Sequence, residues 1–166
     1  MGEEHIKAGI PKERIIMSYE PRGRGNQNLS GWNYKIDFVV SDNFLKSSKV
    51  LVYKGNKFLL TKHYLFVAQV LDQETQETKL LVANSNSTNY DFKEIDLSFN
   101  RFKEHSYSFL DTTENTVFIH VNHFGEKSPY GHIYISDFDG MKYSPSLLYN
   151  LRGDESQCEF DKVRLI

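Results

Sequence analysis

Three histidines, one cysteine and a pair of aspartates hold most of the reactive chemistry in this chain. His120 and His123 stand three residues apart, with His132 further on. A zinc site would need three or four such ligands converging on one ion. On a strand, side chains alternate between faces, so positions three apart point away from each other, and these read as ordinary strand-edge histidines. Cys158 is the single cysteine, which excludes an internal disulfide and a multi-cysteine zinc site. Its neighbours Glu155 and Glu159 disfavour a thiolate, so it reads as a buried thiol and not a nucleophile. Asp137 and Asp139 could offer carboxylates to calcium, but no glutamate follows at ligand spacing and two are too few. No catalytic residue, metal site or cofactor emerges from these positions.

Two further motifs carry modification or binding chemistry. Asn28-Leu29-Ser30 and Asn86-Ser87-Thr88 match the N-glycosylation acceptor pattern. In a chain with 12 Asn and 22 Ser plus Thr, two such matches are about what chance supplies. Asn86 falls in a predicted turn, where a glycan fits if the chain enters the secretory pathway. The run Pro21-Arg22-Gly23-Arg24-Gly25 repeats its Arg-Gly step only twice and reads as a surface loop. Nucleic-acid binding is disfavoured throughout, because 20 Lys plus Arg against 22 Asp plus Glu leave a net charge of −2 over 166 residues.

The elements that hold these residues are strands. Phe, Tyr and Trp make up 14% of the chain, and aromatic residues favour strands. Short runs predict strands at Arg14–Tyr19, Tyr34–Ser41, Lys49–Tyr53, Lys57–Thr61, Tyr64–Val70 and Lys79–Asn84, then at Tyr107–Leu110, Thr116–Val121, His132–Ser136 and Lys162–Leu165. Gly55-Asn56 reads as a tight hairpin turn, and Asp72–Thr78 and Gly125–Pro129 as hairpin loops. No stretch approaches the ~20 apolar residues of a membrane-spanning helix. The acidic start, Met1-Gly2-Glu3-Glu4, does not read as a signal peptide. Taken as it stands, the chain is expected to be cytosolic.

A repeat runs through the strands. Tyr64–Val70 and Lys79–Ser85 align with Thr116–Val121 and His132–Ser136, with an earlier echo at Phe38–Asn43. Each unit ends in the same turn: Ser85, Asn89 and Phe92 in one, Ser136, Gly140 and Tyr143 in the other, with Asp137 and Asp139 inside the second. Ser and Asx side chains satisfy amides within such turns. Gly140, and less comfortably Asn89, can take the left-handed conformation, and the aromatic anchors the turn between sheets. Repeats of ~40–50 residues with about four strands each predict β-propeller blades. The predicted organisation is an N-terminal strand and loop segment over 1–30, then blade repeats near 31–95 and 96–166.

The Ser-x-x-x-Gly-x-x-aromatic hairpin resembles the Asp-box (BNR) turn. The stretch from Gly31 to Ile166 resembles part of the propeller of sortilin-type vacuolar protein-sorting receptors, the fungal ones above all. Ser41-Asp42-Asn43-Phe44, Tyr64–Ala68, Leu80–Ser85, Ile133–Gly140 and Asp161-Lys162-Val163 carry the likeness. Ser87 and Phe138 replace the aspartate of the Asp-box pattern, and Asn89 replaces its glycine. The resemblance implies an all-β, incomplete β-propeller of about two to three four-stranded blades with degenerate Asp-box hairpins. It also implies a luminal Golgi or endosomal protein that binds soluble cargo such as vacuolar hydrolases, without catalysis or cofactor. No motif assigns the cargo-binding residues. The signal peptide, cysteine-rich module, transmembrane helix and sorting tail of such receptors are not recognised in this chain, so a partial or truncated receptor is expected, with self-association through open blade edges. Two alternatives stand beside it. One is a non-functional remnant of a duplicated receptor gene. The other is an Asp-box glycosidase of the sialidase type, disfavoured by only six arginines and no Phe-Arg-Ile-Pro signature.

Overall fold

A computed structural model describes residues 8–19, 36–72, 74–97, 101–103, 105–112, 114–123 and 129–151. These residues form an all-β structure of three antiparallel sheets, an incomplete β-propeller. The first sheet contains β1 (Ile15–Tyr19), β2 (Asp37–Ser41) and β3 (Lys49–Val52), ordered β1-β2-β3. The second runs β4 (Gly55–Leu60), β5 (Tyr64–Asp72), β6 (Glu77–Asn84) and β7 (Lys93–Glu94), with β8 (Phe102–Lys103) also pairing β6. The third is a meander of β9 (Tyr107–Asp111), β10 (Phe118–Val121), β11 (Tyr130–Ser136) and β12 (Tyr143–Leu151). Because β1 pairs β2, the predicted division at 30/31 falls between two strands of one sheet. The predicted strand at Lys162–Leu165 lies outside the described residues.

The central strands of the middle sheet, β5 and β6, are buried on both faces, which explains why β5 reads as a near-continuous apolar run and not as an alternation. Leu65, Val67 and Leu81 point one way and share a core with Phe38 and Val52 of the first sheet. Tyr64, Phe66, Ala68, Leu80 and Val82 point the other way, against Val117, Ile119, Val121, Tyr134 and Tyr143 of the third. Each large aliphatic side chain buried this way contributes about 1.5–3 kcal/mol. Aromatic contacts tighten the cores: Phe66 and Phe109 have ring centroids 4.7 Å apart, and Phe38 and Phe58 5.1 Å.

The hydrogen-bond register aligns the two complete sheets differently from the sequence pattern. Tyr64 pairs Asn84 as Phe118 pairs Ile135, each opposite the residue before a turn serine. Phe118 is therefore the counterpart of Tyr64, two residues beyond the Thr116 that the pattern matches to it. The β10–β11 connection differs in length from the β5–β6 hairpin, and a slip of two leaves every side chain on its own face, so the apolar pattern cannot detect it. Gly55-Asn56 is not a hairpin turn. β3 pairs β2 while β4 pairs β5, and the chain changes sheet at Tyr53-Lys54, where Lys54 has φ 56°. Gly55 is needed for close approach instead: a Cβ there would lie 2.6 Å from the Phe38 Cβ. The longest missed element is β12, whose Ser144, Pro145 and Ser146 break any strand pattern. At the edge of its sheet it tolerates proline, and its pairing with β11 shifts register twice.

These burial differences set an order of stabilities. Ile119→Ala, at a fully buried position between two sheets, is expected to cost about 2–5 kcal/mol. Leu148→Ala, 53% exposed on β12, is expected to change stability by less than about 0.5 kcal/mol. Urea denaturation of both variants checks the order.

Candidate functional site

Three hairpin turns, at the ends of β2, β6 and β11, form one rim of the structure, and their side chains are built into the turns in different ways. In the first, Ser41 Oγ accepts the Leu45 N–H at 2.9 Å and Asn43 Oδ1 accepts the Ser47 N–H at 2.9 Å. Phe44 and Leu45 sit at φ 55° and 64°. In the third, Asp137 Oδ1 accepts the N–H groups of Met141 at 2.9 Å and Lys142 at 3.2 Å. The carboxylate that could have served calcium is thus occupied by turn amides. Ser85 does not bond inside its turn: its Oγ donates to the Lys62 carbonyl at 2.8 Å. Ser136 Oγ does both, donating to the Asp137 carbonyl of its own turn at 2.8 Å and accepting the Val117 N–H at 2.9 Å. Each serine ties its turn to the residues that lead into the neighbouring strand.

Gly140 has φ 70° and sits directly on the ring of Tyr64, where a Cβ would lie 2.9 Å from Cε1. The Tyr64 hydroxyl donates to the Phe138 carbonyl at 2.9 Å, so one side chain of the middle sheet holds the turn of the third. Asn89, the counterpart of Gly140 by sequence, does not adopt positive φ. Its turn is closed by other means: Asn84 Oδ1 accepts the Asn86 N–H at 2.9 Å, and Ser87 Oγ donates to the Asn89 carbonyl at 2.6 Å. With Asp139 exposed at the tip of the third turn, the two aromatics lie deeper. Phe92 packs edge-on to Phe38 with centroids 6.0 Å apart. Tyr143 is 7% exposed within the core shared by the second and third sheets. Burial, reinforced by Tyr64 and Asp137, pushes the Tyr143 phenol far above its ordinary range, and its hydroxyl has no hydrogen-bond partner among the described residues.

Between successive turns lie two open clefts. One, of about 240 Å³, lies between the first and second turns and is lined in part by Asp42, Asn43, Lys49, Thr88 and Asn89. The other, of about 270 Å³, lies between the second and third and is lined in part by Asn84, Ser87, Asp91, Lys93, Asp139 and Met141. Both offer amides, hydroxyls and charges of either sign, which suits hydrogen bonding to a polar ligand. Arg14, which the sequence reading used only as the start of a strand, braces the first cleft. Its guanidinium pairs with Asp42, donates to the Ser87 carbonyl at 3.2 Å and lies 5.7 Å from the centroid of the Tyr90 ring. Nothing local marks this residue, because its partners are 28 and 73 positions away.

The histidines separate in a way their spacing does not disclose. His120 is no strand-edge residue: it is 5% exposed on a central strand, and its ring lies over Gly131, where a Cβ would come within 2.2 Å of Nε2. His123 lies past the end of β10 and turns toward His132, with ring centroids 4.9 Å apart and Nε2 2.9 Å from the Tyr134 hydroxyl. Burial first, then His132 and His120, hold His123 below the usual histidine range. His132 Nδ1 accepts the Tyr149 N–H at 3.1 Å. No group of three or more metal-ligating His, Cys, Asp or Glu side chains is found among the described residues. Cys158 and Asn28 lie outside them.

The turn geometry separates two substitutions that the sequence pattern treats alike. Gly140→Val meets both a left-handed backbone and the Tyr64 ring, and is expected to lower stability by about 1–3 kcal/mol. Asn89→Gly relieves no strain and is expected to be slightly unfavourable or neutral. Thermal unfolding of the two variants measures the contrast. A second expectation concerns alkali. The Tyr143 pKa is raised on folding, so its contribution is complete below the unfolded value of about 10 and is lost as pH rises above it. Tyr143→Phe should be neutral or stabilising at pH 7 and should flatten the alkaline decline, as followed by denaturation against pH.

No curated protein matches the chain. A protein-family model does: the Sortilin-Vps10 model, described as sortilin, neurotensin receptor 3, matches residues 11–166. That match takes in β1 as well as the three turn-bearing sheets, and it is to a family of receptors, not of enzymes. The chain belongs to the sortilin family.

Proposed function

We propose that the chain is a cargo-binding propeller segment of a sorting receptor, one that holds soluble proteins for transport from the Golgi to endosomes or the vacuole. The observation that carries this reading is the family match over residues 11–166, on a chain whose described residues form propeller-type sheets. Fold alone does not confer function; the family match is what supports the reading. The compartment is the Golgi or endosomal lumen, and vacuolar hydrolases or their propeptides are the cargo class. Binding is spread over loops and exposed strand edges, and is weak for any single contact.

Immobilised chain should recover vacuolar hydrolases or their propeptides under luminal ionic conditions, and a pull-down that recovers none overturns the proposal. Turnover of a fluorogenic sialoside should stay at background. Hydrolysis above it would replace the receptor reading with the glycosidase one.

A further inference from the structure

We infer that Asn86 is an N-glycan attachment site and that its glycan covers the rim formed by the hairpin turns. The inference rests on the luminal reading above, since only a chain in the secretory pathway meets the glycosylation machinery. Asn86-Ser87-Thr88 satisfies the acceptor pattern, with no proline at the middle position and threonine in the hydroxyl position. The structure adds what chance occurrence of the motif cannot. Asn86 is exposed at the β6–β7 turn, and Thr88 is exposed beside it. The Asn86 N–H is taken by Asn84 Oδ1 at 2.9 Å, whereas its carboxamide makes no hydrogen bond among the described residues. Gly9 lies beside it, and even a Cβ added there would stay 3.7 Å from the Asn86 Oδ1. A sugar on this nitrogen therefore displaces no hydrogen bond made among the described residues.

The position has a consequence for recognition. Ser87 lines the cleft toward the third sheet, and Thr88 and Asn89 line the cleft toward the first. A glycan on Asn86 stands between the two and screens both from a protein-sized partner. Cargo then contacts other surfaces, and the turn rim serves as a protected, solubilising edge.

The test expresses the full chain behind an added secretory leader in a eukaryotic host and follows gel mobility with and without endoglycosidase. Asn86→Gln and Thr88→Ala should each lose one endoglycosidase-sensitive step, Thr88→Ser should keep it in part or whole, and Asn28→Gln should leave it in place. If Asn86→Gln and Thr88→Ala both migrate like the parent chain, the assignment is overturned. Retention of the step in Thr88→Ser shows that its loss in Thr88→Ala comes from the missing hydroxyl and not from misfolding. The luminal reading is judged separately. A chain that is glycosylated with the added leader, but carries no glycan when expressed from its own locus, keeps the acceptor assignment and overturns the luminal reading. Recovery of cargo should be the same for the glycosylated chain and Asn86→Gln. A rise on removing the glycan supports screening of a docking surface at the rim and overturns the placing of cargo elsewhere.

Discussion

The contact on which the arrangement turns is that of Tyr64 with the hairpin at Gly140. The ring of one sheet lies against the bare backbone of the next, and its hydroxyl is bound by the Phe138 carbonyl. The contact works only because Gly140 has no side chain and can hold φ 70°. It sets the distance between the second and third sheets, and that distance lets Val117, Ile119 and Val121 close on Phe66, Leu80 and Val82. The first and second sheets meet by the same logic with different parts. There Gly55 lets the backbone of β4 approach Phe38, and Phe92 packs edge-on to the same ring.

Sheets stacked face to face leave polar chemistry to their ends and edges. The central strands β5 and β6 spend both of their faces on neighbours, so what remains exposed is the turns, the clefts between them and the outer strands. Arg14 shows how such an edge is held. It gathers Asp42, the Ser87 carbonyl and the Tyr90 ring from two sheets around one guanidinium. The Arg14 side chain is only 12% exposed but Asp42 is 64% exposed, so the ion pair is partly solvated and the guanidinium is held as well by the neutral Ser87 acceptor and the Tyr90 ring. Charges of both signs line the clefts, on a chain that belongs to a receptor family.

The histidines show the limits of spacing as evidence. Strand alternation is silent on which residue from another strand His120 and His123 each meet, and it does not reach His123 at all. β10 ends at Val121, so His123 is no longer bound by the alternation and swings toward His132. His120 occupies the position in its sheet that Phe66 occupies in the middle one, so a buried polar ring stands where the repeat has an apolar one.

From the sequence alone came the fold class, the presence of most strands, the repeat, the turns at Ser85 and Ser136 and the resemblance to sortilin-type receptors. These are legible because apolar periodicity, turn residues and local motifs are properties of neighbouring positions. The tertiary structure alone decided matters that depend on distant ones. It gave β1 to the first sheet, moved the Gly55 role from turn to close approach, and slid the repeat by two residues. It also placed β12 on a sheet edge where its serines and proline are tolerated. It released Asn89 from the left-handed conformation because Asn84 and Ser87 close that turn without it. Above all it brought Arg14 to Asp42 and Ser87, and Tyr64 to Gly140. A side chain's partner 28 or 73 positions away is chosen by how sheets stack, and no local pattern records that choice.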